Sequence, residues 1–364
     1  MSATGICRPG RALSMESTTE ILDDSSWLPV DYDAETDEFH FAQVSIDHIE
    51  TMPFHDGRHP LAATNDLVAI TAERLRGWRS DPAPGEVTGT LIIHSGFCGS
   101  TLLSRVLSVP GKSFVLREPR AITRLSNACL PGLVDPAHLS ETQKLFDRTV
   151  ARLCFSMAPY ARPAIKLSNW DNILLATGGA ENGNYRILSM TCDLRAYIVA
   201  IFRGGKPRIR QTLELLERLR QVGSVPASLV SEAQSYPGSM TSICCLLACA
   251  YAAQATAMSS VAGGTGATET APLTLESLRA DPVESLSRAN RQLELGLSTL
   301  ELAQAWESIA PKHAKDPQGQ EFSLDREIQF ARELVNEWGD AIEAAVMWAQ
   351  QRGIPASPSV TAGS

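Results

Sequence analysis

The chain has 364 residues, 44% apolar and 20% charged, enough to bury a sizeable core as one large domain or two small ones. Its formal charge of −9 excludes a general nucleic-acid binder, which carries a basic excess, yet leaves room for a local basic pocket. The eight cysteines stand singly apart from Cys244-Cys245, with no Cys-x-x-Cys pair and no signal peptide, so reduced thiols in a cytoplasmic protein are expected rather than a disulfide frame.

Residues 1–26 are polar and expected to be loose. Trp27 to Ile49 reads as a hairpin turning at Ala34-Glu35-Thr36-Asp37. The acidic run Asp31–Glu35 lacks the glycine and distal glutamate of a calcium loop, so a solvated turn is expected. His55 and His59 flank Asp56-Gly57-Arg58, but two histidines without a third ligand make a weak case for a metal. Leu67 to Trp78 reads as a helix entering the linker Asp81-Pro82-Ala83-Pro84-Gly85. Residues 1–85 are thus expected to form an N-terminal hairpin and helix extension with its linker.

Gly89-Thr90-Leu91-Ile92-Ile93-His94 is an apolar, β-branched strand. It runs into the small-residue loop Ser95-Gly96-Phe97-Cys98-Gly99-Ser100-Thr101, and Leu102, Leu103 and Val106 then follow at helical spacing. A strand, tight loop and helix turn backbone N–H groups toward one point at a helix start, where an anion is favoured. The expectation is a phosphate- or sulfate-binding loop. Ser100 is found where a nucleotide-triphosphatase loop needs lysine, and Leu102 where the dinucleotide fingerprint needs its third glycine.

A second strand, Ser113–Leu116, brings Glu118 to its C-terminal end, the edge where open α/β sheets gather ligands. Leu139 to Met157 has helical periodicity. Pro163 to Trp170 reads as a short strand with Lys166 inside its apolar run. Such a lysine either meets an anion or reaches water from an edge strand. Arg186–Cys192 is another strand, followed by a helix. Arg203, Lys206, Arg208 and Arg210 come next, either as charge for a ligand or as a solvated helix face. Residues 240–262 are short of charge but small rather than greasy, and read as a buried core helix, not a membrane span. Ser259–Gly266 reads as a flexible surface insert. Pro272–Leu278 reads as a last strand, Pro282 starts a helix and Gly296 ends it. His313–Gly319 is a basic loop ahead of a long helix, Leu324 to Gln351, and residues 353–364 are expected to be a disordered tail.

The loop Gly99-Ser100-Thr101-Leu102-Leu103 resembles that of sulfotransferases using 3′-phosphoadenosine 5′-phosphosulfate (PAPS). Leu116-Arg117-Glu118-Pro119-Arg120 resembles the strand ending in Glu-Thr-Arg of the tyrosylprotein sulfotransferases. Leu275-Glu276-Ser277-Leu278, Asp281-Pro282 and Leu295-Gly296-Leu297 resemble the family's C-terminal signature. The resemblance spans about residues 89–350 and implies a P-loop-like, three-layer α/β/α fold with a central parallel sheet, one large domain over 86–352. It also implies PAPS as co-substrate, no metal, and a small-molecule or peptide acceptor. By that resemblance Glu118 is the general base and Lys166 stabilises the transferring group. Gly96, Phe97, Cys98, Gly99, Ser100, Thr101, Leu102, Arg203 and Lys315 would bind the nucleotide, and Arg120 and His94 would face the acceptor. The chain departs from the pattern where the family holds the 3′-phosphate with an arginine and a serine. Those places fall on Thr191 or Asp193, and on Val199 or Ala200. The arginine preceding the family's loop falls on Phe97. A nucleotide-dependent phosphotransferase, with Asp193 as its one candidate magnesium ligand, and a non-catalytic binding module stay open as rivals.

Overall fold

The computed structural model describes residues 15–58, 67–79, 86–130, 136–159, 161–178, 184–264, 271–312 and 323–355. His59, the linker Asp81–Gly85 and the basic loop His313–Gly319 with its Lys315 lie outside them, as do residues 356–364.

The N-terminal part is helix α1 (Met15–Asp23) and strands β1 (Trp27–Asp33) and β2 (Glu38–Gln43), then α2 (Ile46–Thr51), β3 (Val68–Thr71) and α3 (Ala72–Arg76). The hairpin expected between Trp27 and Ile49 forms, with Asp37 at positive φ in its turn. Two expectations are corrected. Residues 15–23 are helical rather than loose, because Ile21 and Leu22 are buried and the Arg152 guanidinium takes the Ile21 and Asp24 carbonyls. The first part of Leu67–Trp78 is a strand, because Val68–Thr71 pairs antiparallel with β2 and the helix begins only after Thr71.

The larger part begins with β4 (Gly89–His94), α4 (Ser100–Val106), β5 (Ser113–Arg117), α5 (Arg120–Cys129), α6 (Pro136–Met157), β6 (Arg162–Lys166) and α7 (Asn172–Gly178). It continues with β7 (Tyr185–Thr191), α8 (Leu194–Arg203), α9 (Gly205–Gln221), α10 (Ala227–Ser235) and α11 (Ser239–Gly264). The last elements are β8 (Leu273–Thr274), α12 (Leu275–Ala280), α13 (Pro282–Leu293), α14 (Thr299–Ile309) and α15 (Leu324–Gln351). Strands β4 to β8 form one five-stranded parallel sheet in the order β5-β6-β4-β7-β8. Every residue of β4 is buried, as a central strand covered on both faces requires. Two groups of helices reach the sheet, α6 with α7 and α11, and α4 with α13 and α14. The fold is therefore α/β around a parallel sheet.

α11 is long and apolar enough to cross a membrane by length and composition alone. Here it packs against α7, α9, α10 and α15, burying Cys244, Cys245 and Leu247 through Tyr251. The insert expected from Ser259 is helical as far as Gly264, since Val261 is buried and carries the helix on. At the other end Ile354 is buried and its N–H returns to the Ala349 carbonyl, so the fold runs past residue 352. Residues of the N-terminal sheet and of the parallel sheet belong to one continuous apolar core. The N-terminal part is thus packed into the domain, with β1 lying on α5 and α6.

Candidate functional site

A sheet with this order leaves a crevice at the C-terminal ends of its strands, on either side of the central one. β4 is that central strand, and the loop after it takes a tight path. Gly96, Phe97 and Gly99 all have positive φ, and Gly99, at +86°, is the N-cap of α4. A Cβ on Gly99 would come 2.7 Å from Leu275 Cδ1 and would also meet the left-handed backbone, so glycine suits the position on both counts. His94 anchors the base of the loop. Its Nδ1 accepts from Gly96 N–H at 3.0 Å, which puts the ring proton on Nε2, 2.9 Å from the Leu167 carbonyl. His94 borders the crevice, but both ring nitrogens are committed to the fold. The expectation that it faces an acceptor is corrected accordingly.

Gly96, Phe97, Gly99, Ser100, Thr101 and Leu102 line the crevice. Cys98 does not, because its side chain is fully buried and its thiol lies 3.4 Å from the Met190 carbonyl. Burial pushes that thiol up. The expectation that Cys98 binds the nucleotide is corrected accordingly.

Glu118 and Lys166 meet. Parallel pairing sets Arg117 beside Lys166, and Glu118 N–H donates to the Lys166 carbonyl at 2.7 Å. Glu118 then takes φ +56°, a strained conformation for a side chain other than glycine or asparagine, and so turns its carboxylate into the crevice. Lys166 Nζ donates to Glu118 Oε1, and the lysine is 1% exposed. Its environment is the opposite of an edge-strand lysine reaching water. The ring of Phe54 lies under both this ammonium, at 5.8 Å, and the Arg58 guanidinium, at 3.8 Å.

On the other side of the loop the crevice is walled by Arg203, Arg208 and Arg279. Burial, and then the neighbouring charges of Arg208 and Arg279, hold the Arg203 guanidinium below its ordinary value. Arg208 lies 5.0 Å over the Phe97 ring, so α9 brings a cation to the side of the loop. Thr191 is hydrogen-bonded to Ser95 Oγ and the Cys192 carbonyl, and Asp193 caps α8 through Ala196 N–H at 2.7 Å. As an N-cap, Asp193 has one carboxylate oxygen committed to the helix it starts. Val199 and Ala200 line the crevice without charge.

Arg120 is not brought in either. Arg120 pairs with Asp31 at 2.9 Å, away from Glu118, which corrects its expected role beside the glutamate or the acceptor. Lys315 is outside the described residues. The sequence reading missed Phe54, Asp56 and Arg58, and also Trp170, Arg218 and Arg279, all of which line the crevice.

The crevice has a volume of about 1740 Å³, more than the ~300–1000 Å³ of a usual small-molecule pocket. Among the described residues lining it are nine lysines and arginines against five acids, inside a chain of charge −9. The arrangement can attract a polyanion, hold a tetrahedral oxyanion at the loop, and set a carboxylate and an ammonium side by side at its middle. No family model, curated protein or solved structure matches the chain.

Proposed function

We propose that the protein is a sulfotransferase, moving a sulfuryl group from PAPS to an acceptor hydroxyl on a P-loop-like, three-layer fold. The observation that carries this reading is the Lys166–Glu118 pair beside the loop at the sheet edge. Group transfer between oxyanions needs position, in-line approach and charge stabilisation more than covalent chemistry. The start of α4, with Ser100 and Thr101, binds the sulfuryl and 5′-phosphate oxygens. Arg203, Arg208 and Arg279 fit the 3′-phosphate, since an anion there would offset the like charges that Arg208 and Arg279 bring to Arg203.

Lys166 stabilises charge on the bridging and equatorial oxygens. To do so it turns from Glu118 to the sulfuryl donor, which leaves Glu118 Oε1 open to the acceptor hydroxyl. Glu118 takes the hydroxyl proton as the acceptor oxygen bonds to sulfur and the bond from sulfur to the 5′-phosphate oxygen breaks. The acceptor end lies between Phe54, Thr123, Asn127, Trp170 and Arg218.

Calorimetry with 3′-phosphoadenosine 5′-phosphate against ATP and magnesium tests the reading. Tight, magnesium-independent binding of the first is expected. Magnesium-dependent binding of the second alone would point to a phosphotransferase, and binding of neither to a non-catalytic module. Transfer of labelled sulfate from PAPS into a metabolite extract then identifies the acceptor.

A further inference from the structure

One stretch of the N-terminal part reaches the crevice, and past Phe54 it has no role in the transfer described above. It follows α2 and runs along the outer side of β5, an edge strand of the parallel sheet. We propose that Arg58 is a positioning residue of the transfer site, delivered by an N-terminal strap, Met52–Arg58, that is clamped to the end of β5 so that its guanidinium stands within ion-pair reach of one oxygen of Glu118. The proposal rests on the sulfuryl-transfer reading above.

The clamp is a set of hydrogen bonds centred on His55, which is fully buried. His55 N–H donates to the Arg117 carbonyl at 2.8 Å, Arg117 N–H donates to His55 Nδ1 at 2.7 Å, and Arg120 N–H donates to the His55 carbonyl at 3.0 Å. The second ring nitrogen is 3.0 Å from the Ile49 carbonyl. Arg117 grips the strap from the other side through the Glu50 and Met52 carbonyls. These bonds bracket Glu118 on both sides in sequence, so strap and glutamate are held in one frame.

Past the clamp the chain turns at Gly57, at φ +89°, where a Cβ would come 2.6 Å from the Arg120 side chain. The turn sends Arg58 back over Phe54. Its guanidinium holds Asp56 Oδ2 at 2.6 Å and stands 3.9 Å from Glu118 Oε2. Glu118 therefore has a cation at each oxygen, Lys166 from β6 and Arg58 from the strap. The charged groups facing it are completed by Asp56 and by Asp171 at the start of α7. When Lys166 turns to the sulfuryl donor, Arg58 keeps the carboxylate aimed.

The test compares Arg58→Gln and Arg58→Lys with the parent at low salt. The readout is kcat and the KM for PAPS, taken separately. Turnover should fall about tenfold with the KM for PAPS unchanged, and lysine should restore most of it. Asp56→Asn, which frees the guanidinium to lean on Glu118, should raise turnover and gives a second route if Arg58→Gln fails to fold. Unchanged turnover in an Arg58→Gln protein that binds 3′-phosphoadenosine 5′-phosphate, a lysine variant as poor as glutamine, or an Asp56→Asn variant that loses turnover would overturn the role of Arg58. A parent protein that binds no nucleotide would instead overturn the transfer reading itself.

Discussion

Lys166 is a buried ammonium whose partner is Glu118, and the pair must separate for either group to act. Removing one member of a buried pair leaves the other uncompensated, at about 3–5 kcal/mol when fully buried and less here, where Glu118 is 17% exposed. Glu118→Gln should therefore lower stability modestly and abolish turnover, yet bind 3′-phosphoadenosine 5′-phosphate as tightly as the parent or more so, because Lys166 is released to the anion. Calorimetry alongside a sulfate-transfer assay checks this; a collapse of affinity would make Glu118 structural. His55 and Asp171 act on stability with opposite signs. Burial, with the Arg117 charge, pushes His55 down to about 3, so below its unfolded value near 6.5 the unfolded chain binds the extra proton and acid destabilises the fold. Burial pushes Asp171 up to about 7, so between its unfolded value near 4 and about 7 the folded chain binds the extra proton and acid stabilises it. Each slope is about 1.4 kcal/mol per pH unit, and they oppose each other between pH 4 and 6.5. Urea unfolding should then show Asp171→Asn losing stability relative to the parent as pH drops from 6.5 to 4, and His55→Asn gaining it.

At the scale of elements, the loop and α4 depend on Gly99. Gly99→Ala meets both a left-handed backbone and Leu275, and should cost about 1–2 kcal/mol and weaken nucleotide binding roughly tenfold, as thermal melts and calorimetry would report. This element was legible in the sequence because its signals are local: a β-branched run, two glycines, then apolar residues at helical spacing. So were β5, β6 and α15, whose patterns sit in unbroken windows, and with them the meeting of Glu118 and Lys166 at one edge. β3 was not, since Val68–Thr71 is too short to separate from the helix after it. The strap was not legible either. His55 is explained by Arg117, far along the chain, and no periodicity marks a segment whose partners are the end of another strand. Arg120 was misread for the same reason, its partner being Asp31 in β1. The arginines of α9 and α12 carried charge visible in the sequence, but only packing shows which of them turn inward.

For the molecule as a whole, the sign of the crevice opposes the sign of the chain. An acidic surface around a basic cleft favours small polyanions and disfavours nucleic acid, so affinity for 3′-phosphoadenosine 5′-phosphate should fall at least tenfold between 0.05 and 0.5 M salt. Arg203→Gln combined with Arg208→Gln should remove most of the preference for a 3′-phosphorylated nucleotide over adenosine 5′-phosphate, measured by competition. An equal loss for both nucleotides would move the 3′-phosphate elsewhere.

His55 leaves the ribosome well before Arg117, and its two ring nitrogens and backbone have no full set of partners until β5 has been made and paired. The strap is thus made before β5 but docked only after it. Nascent chains would hold the crevice one arginine short until the sheet is finished, so that a fully lined crevice reports a completed domain rather than a partly assembled one.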